Sequence, residues 1–329
     1  MNKRERVLAV LQQKEVDYIP GAFWFHFIHE EDTVGEGAVQ AHLNYYRSAD
    51  LDFIKIMSDG LAYPLRVKIN SPEDWYKVEP LPRDDPFFAD TVYRCRRINE
   101  ELKGECCTFY NMFSPFNIVR ERDVFTPECL NGRSWDATVM AHLRFNEKAI
   151  VHAMNVIADD LAYLAWKAIV EGHCDGIYQS VQGAEIGRMS AEEYARIVAP
   201  TEMKVIAAAN EVSDYNILHM CSWAGKPNHL SYWKDYPVRV KNWGTGVEGV
   251  SLAEGKKLFS GAVLLGGMDN RRDQPLYSGT KEEIQDAVRR VIREMDGTPF
   301  LLGADCTVPP DTSLDHIRWA LEAARTCGK

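Results

Sequence analysis

The chain has 329 residues, of which 46% are hydrophobic and 26% charged, and its formal net charge is −10 at pH 7. That composition suits a globular protein with a sizeable core, and the acid excess argues against non-specific nucleic-acid binding, which needs cations to displace counterions. No apolar run is long enough to cross a bilayer, the eight cysteines show no disulfide spacing and the first residues show no signal sequence, so a cytoplasmic protein with reduced thiols is expected.

Met1–Arg6 leads into a helix pattern carrying Val7, Leu8, Val10 and Leu11. A first strand is expected at Gly21–Phe25 and a second at Phe53–Met57. The stretch 70–97, rich in proline and charge and holding Trp75 and Tyr76, reads as an excursion or lid before the third strand, Thr108–Phe113. Asn146 to Gly172 carries a helical stripe of Ile150, Met154, Ile157, Leu161, Leu164 and Ala168. The fourth strand is Gly176–Val181, and Ser190 with Glu193 forms a capping-box pattern before Tyr194 and Ile197. Strands five to seven fall at Asn216–Cys221, Val238–Trp243 and Ala262–Gly267. Thr280 and Glu283 open another helix, through Ile284, Val288, Val291 and Met295, with Gly297 as its stop. Pro299–Gly303 is the eighth strand, and Asp311 or Thr312 opens a last helix through Leu314, Ile317, Leu321 and Ala324. Strands alternating with helices give a parallel sheet, and eight such units close a (β/α)8 TIM barrel spanning residues 1–329 as one domain. Functional residues then belong at the C-terminal ends of the strands.

The sharpest cluster is Ile217-Leu218-His219-Met220-Cys221, because residues two apart on a strand share a face. Cys306 follows the eighth strand at the same end of the barrel. One imidazole and two thiolates suit Zn²⁺, with a fourth position left for a substrate. The same three residues would also read as two small apolar cysteines beside a hydrogen-bonded histidine. Other strand ends carry Asp59, Glu185 and Asp269 as candidate catalytic acids or bases. Trp24, His26, Asn111, Gln179, Trp243 and Asn270 are candidates for holding a substrate. Each of these also suits a helix cap, a loop tie or the core. The first-strand run Phe23-Trp24-Phe25-His26-Phe27 would wall a pocket for a flat or apolar ligand. Phosphate-loop, dinucleotide-binding and nucleophile-elbow motifs are absent from the sequence.

These motifs together resemble the uroporphyrinogen decarboxylase superfamily over nearly the whole chain. The resemblance rests on Arg4-Glu5-Arg6-Val7-Leu8, Ser58-Asp59, Tyr110–Phe116, Ile217–Trp223, Leu264–Arg271 and Leu302–Pro309. It implies a single β/α barrel. The decarboxylases of this superfamily hold the carboxylates of a tetrapyrrole with arginines on the first strand. Here that place reads Ala22-Phe23-Trp24-Phe25-His26-Phe27, without arginine. The chain looks more like the branch of methylcobamide:coenzyme M methyltransferases and bacterial O-demethylase methyltransferases. Their His-x-Cys…Cys zinc motif falls on His219, Cys221 and Cys306. The resemblance implies bound zinc, a cobalamin carried by a separate corrinoid protein and a small methyl donor or acceptor. A methoxyaromatic ether or a thiol would fill that last role, within anaerobic one-carbon metabolism. It also implies no membrane or nucleic-acid partner, and a homodimer, since members of the superfamily often pair.

Overall fold

The computed structural model describes residues 1–222 and 225–326; Trp223, which ends the fifth-strand motif, lies outside the described residues. Among the described residues seven strands form one sheet: β1 Phe53–Ile56, β2 Cys107–Phe113, β3 Gly176–Val181, β4 Ile217–Met220, β5 Val240–Trp243, β6 Val263–Met268 and β7 Leu301–Ala304. Each is parallel to the next in sequence, so the sheet order is the chain order. Parallel strands need crossovers, and helices on the outer face supply them.

The first expected strand, Gly21–Phe25, is corrected by the structure: it closes the ring without forming a ladder. Gly21 bridges Leu302 in parallel. Ala22 N donates to Leu302 O at 3.0 Å and Leu302 N to Pro20 O at 2.9 Å. On the other side Asp52 N reaches Gly21 O at 2.9 Å. The Gly21 N–H goes instead to the Asp52 carboxylate at 2.9 Å. A side chain thus takes the donor that a strand carbonyl would need, and pairing with β1 stops there. The eighth position of the barrel is filled, by a segment tied to both β7 and the start of β1.

The helix Glu147–Val170 shows how the outer layer forms. Its 24 residues make about 36 Å of helix. Ile150, Met154, Ile157, Leu161, Leu164 and Ala168 are all buried, as their spacing requires. Each large member of that stripe contributes about 1.5–3 kcal/mol by leaving water. The Asn146 side chain accepts from Ala149 N at 3.3 Å and starts the helix. Both expected capping boxes form, at Ser190 with Glu193 and at Thr280 with Glu283. The last helix begins at Leu314, later than Asp311 or Thr312. Thr312 N is held by Pro309 O in a turn at 2.9 Å, and the helix bonds begin from Ser313 O.

The 70–97 stretch contains a capped turn, Pro72–Lys77, and most of the helix Pro86–Leu102. Trp75 is fully buried, packs edge-on against Phe125 and donates to His142 Nδ1 at 3.2 Å.

Strand alternation sorts the barrel interior. Asn111 is in register with Tyr178, and His219 with both Ser180 and Asn242. Those residues and Lys55 face inward, while their chain neighbours face the helices. A polar inner layer in a barrel usually filled by branched apolar side chains marks the functional end.

Candidate metal centre and substrate cavity

His219 sits near the end of β4, Cys221 one residue beyond it and Cys306 just after β7. Cys221 N donates to Val181 O at 3.0 Å, and Asp305 N to Met268 O at 2.8 Å. These backbone bonds fix both cysteine turns to neighbouring strands. The three ligand atoms lie within 4.8 Å of one another. Tetrahedral zinc needs donor atoms about 3.3–3.8 Å apart, so a small inward shift closes the set.

The imidazole is oriented for this task. Its Nδ1 bonds Asn242 Oδ1 at 2.5 Å, and its ring stacks on Tyr178 at 5.5 Å between centroids. Asn242 Nδ2 donates to Leu265 O at 2.9 Å and Ala304 O at 3.3 Å, while Oδ1 also accepts from Tyr178 OH at 2.7 Å. Two carbonyls on the nitrogen side fix which end of the amide is oxygen. The proton of His219 is therefore on Nδ1, and Nε2 presents a lone pair. Nε2 is buried and has no hydrogen-bond partner. A side chain at Gly266, where φ is +137°, would come within 3.2 Å of the Asn242 amide, so glycine leaves room for this clamp. The two cysteines act on each other: the contact with Cys221 pulls the Cys306 thiol well below its ordinary range, and the same contact, with burial, pushes Cys221 up. An imidazole lone pair and two cysteine sulfurs converging in this way fit a divalent metal of zinc's preferences.

The triad opens on a cavity of about 370 Å³ that also contacts His26, Lys55, Asn111 and Asn270. A side chamber of about 230 Å³ adjoins it through Asn111 and Phe113, and is walled by Tyr63, Phe87, Leu161 and Leu164. Lys55 projects from β1 into the larger cavity. Its Nζ lies 3.9 Å from the Tyr178 ring centre and 5.1 Å from that of Trp24. Burial lowers its pKa to about 8.

The sequence model for "Uroporphyrinogen decarboxylase (URO-D)" matches residues 54–327. The chain belongs to this family. A relative of the chain is the methylcobamide:CoM methyltransferase MtbA of Methanosarcina acetivorans, 23% identical over 358 residues, covering 98% of this chain and 97% of the relative. The protein of the same name from Methanosarcina mazei is 21% identical, with the same coverage. Among solved structures, a methyltransferase from Methanosarcina mazei superposes with a TM-score of 0.73 at 16% identity, covering 98% of both chains. That likeness carries the URO-D fold, a TIM-barrel-like β/α architecture, across the whole chain.

Within this URO-D barrel the expected site residues divide. His219, Cys221, Cys306, His26, Asn111 and Asn270 share one cavity. Asn270 Nδ2 is held by Thr307 O at 2.8 Å, and Asn111 Nδ2 by Ser58 Oγ at 2.8 Å. Asp59 lines the side chamber and accepts from His26 Nδ1 at 2.7 Å and Phe27 N at 2.9 Å. Burial pushes its pKa up, but those two bonds outweigh it and hold the carboxylate below its usual range. Trp24 is buried in the inner wall, edge-on to Tyr178. Asp269 is folded back on Arg271 at 2.6 Å, and it is Arg271 that reaches the cavity.

Three expectations are corrected. Gln179 lies between the inward Tyr178 and Ser180, so alternation turns it toward the helices. Trp243 likewise follows inward Asn242; its ring packs on Phe259 and its Nε1 donates to Val250 O at 2.8 Å. Glu185 is not a free acid: Arg120 takes one oxygen at 3.0 Å and Arg188 the other at 2.7 Å. Sequence reasoning missed Lys55 as a member of the site. A lysine inside the apolar run Phe53–Met57 was the signal for it. Strand parity with His219 places Asn242, rather than its neighbour Trp243, on the inner face.

Proposed function

We propose that this chain is a zinc-dependent methyltransferase that moves a methyl group between a small substrate and the cobalt of a separate corrinoid protein. The observation that carries the reading is the buried, unpartnered Nε2 of His219 converging with two cysteine sulfurs at the wall of a cavity. Support for the chemistry comes from the relatives, which are named methylcobamide:CoM methyltransferases. His219, Cys221 and Cys306 would hold the metal, leaving one tetrahedral position for the substrate. Zinc bound there supplies Lewis acidity to the oxygen or sulfur of the substrate.

The chain's own residues do the rest. Asn242 keeps the His219 lone pair aimed at the sulfurs. Asn111 and Asn270, each held by a hydrogen bond, present fixed polar atoms to the cavity. We favour a methyl ether such as a methoxyaromatic over a thiol, because the adjoining chamber is walled by Tyr63, Phe87, Leu161 and Leu164. In that direction the carbon–oxygen bond would break, its electron pair would stay on oxygen, and the methyl carbon would pass to the cobalt(I) of the partner. The released oxygen then takes a proton. A cytoplasmic setting accompanies the reading, since the thiols must stay reduced.

The test is metal content by elemental analysis, followed by methyl transfer to cob(I)alamin from methoxyaromatics and from methylcobalamin to thiols. About one zinc per chain in the wild type, lost in the double variant Cys221→Ala, Cys306→Ala, is expected. A folded wild-type chain that neither contains nor takes up zinc refutes the proposal.

A further inference from the structure

Lys55 is a buried ammonium whose job the metal centre leaves open. It is 7% exposed. Among the described residues its Nζ has no hydrogen-bond acceptor and no direct ion-pair contact: it lies over the faces of Tyr178 and Trp24, and Cys306, Cys221 and Asp59 act on it only through space. A buried charge without a hydrogen-bonding partner is costly, and an apolar side chain of equal length would avoid that cost.

The carboxylates around the cavity are engaged elsewhere. Asp59 is taken by His26 and the Phe27 amide. Asp269 is taken by Arg271, and Glu185 by Arg120 and Arg188. Asp305 turns away, accepting from Gly246 N and Thr245 Oγ1 at 2.8 Å. Lys55 therefore meets no carboxylate at bonding distance among the described residues, and it lines the cavity beside Cys221 and Cys306. Electrostatic attraction is strong in such a poorly solvated place.

We propose that Lys55 is the anion-binding contact of the cavity, and that the small substrate carries an oxyanion, a carboxylate, sulfonate or phenolate, beside an apolar body. This rests on the methyl-transfer reading, and it narrows the substrate class. The apolar body has the chamber walled by Tyr63, Phe87, Leu161 and Leu164 next to it. Neutral ethers and thiols of the same shape would leave the ammonium unpaired and bind less tightly.

The experiment is calorimetric titration of the zinc-loaded full chain with two matched pairs. One pair is mercaptopropionate and mercaptopropanol; the other is methoxybenzoate and methoxybenzyl alcohol. In at least one pair the anion should bind about tenfold tighter or better, the size of one charge-assisted hydrogen bond. Lys55→Met and Lys55→Gln should both erase that preference, with the affinity for the neutral partner kept within about twofold. Melting temperature should not fall in Lys55→Met, because the variant removes an uncompensated buried charge. Two variants keep the test intact if one folds poorly. Absence of an anion preference in both pairs, or its survival in Lys55→Met, overturns the proposal. Elemental analysis of each titrated sample separates the two readings: failure of the wild type to hold zinc counts against the metal centre, and an anion bound no better than its neutral partner by a sample that holds zinc counts against Lys55.

Discussion

Replacing Asn242 by alanine removes four hydrogen bonds at once: two from its nitrogen to Leu265 O and Ala304 O, and two to its oxygen from His219 Nδ1 and Tyr178 OH. The imidazole then loses the partner that fixes its tautomer and its rotation. Removing a group that orients a metal-bound histidine typically weakens metal affinity about 10–100-fold. That corresponds to roughly 1.4–2.7 kcal/mol of binding. Fold stability should also drop, by about 1–3 kcal/mol, because buried carbonyls lose a donor. Asn242→Asp separates the two effects. Its carboxylate still accepts from Nδ1, so zinc affinity should stay near the wild-type value. It cannot donate to Leu265 O or Ala304 O, so the melting temperature should fall as far as in the alanine variant or further. The assay is zinc competition against a chromophoric chelator at fixed pH, with thermal melting alongside. A folded Asn242→Ala chain that binds zinc as tightly as the wild type would refute this account of how His219 is aimed.

Three further outcomes follow from other parts of the molecule. His219→Ala should abolish stoichiometric zinc while leaving the helical circular dichroism unchanged, because the barrel core does not depend on that imidazole; retention of one zinc per chain would remove it from the centre. Glu202 is fully buried and carries its pKa up to about 7 by burial, against the hydroxyls of Tyr236 and Tyr194 that bond its Oε2 at 2.7 and 2.8 Å. The folded state therefore holds a proton that the unfolded chain releases near its ordinary value of 4.5, so stability should fall as pH rises from there to about 7 and then level. Glu202→Gln keeps both hydroxyl partners and should remove that fall, a difference of roughly 3 kcal/mol above pH 7 in denaturant titrations; an unchanged pH profile would show that Glu202 is ionised in the fold. Leu161→Ala empties part of the helix 147–170 stripe beside the side chamber, and should cost about 2–5 kcal/mol in chemical denaturation.

The alternation of short apolar strands with capped helices was legible because each unit obeys a local rule. Ser190 with Glu193 and Thr280 with Glu283 form their boxes whatever the tertiary context. The closing segment at Gly21 was read as a strand because its composition is strand-like. What prevents a ladder there is the Asp52 carboxylate, 31 positions along the chain, taking the Gly21 N–H. A pattern of residue types carries no trace of that competition.

The candidate metal centre was legible for a different reason. Histidine and cysteine two apart on a strand, with a second cysteine after the last strand, state their geometry through parity and topology. Parity applied one strand further would have preferred Asn242 to Trp243, since His219 and Asn242 are in register across β4 and β5. It would also have turned Gln179 outward. Lys55 needed a judgement of another kind. A lysine in an apolar strand gives no sign of whether a carboxylate waits for it across the barrel. Among the described residues, the placement of Asp59, Asp269, Glu185 and Asp305, each already bonded elsewhere, shows that none of them makes a direct ion pair with Lys55. The residues that bind metals announce themselves by type, whereas a residue poised for a charged substrate is defined by the partners it lacks. On the proposed role of Lys55, the charge of the cavity would act alongside its apolar wall in selecting a ligand.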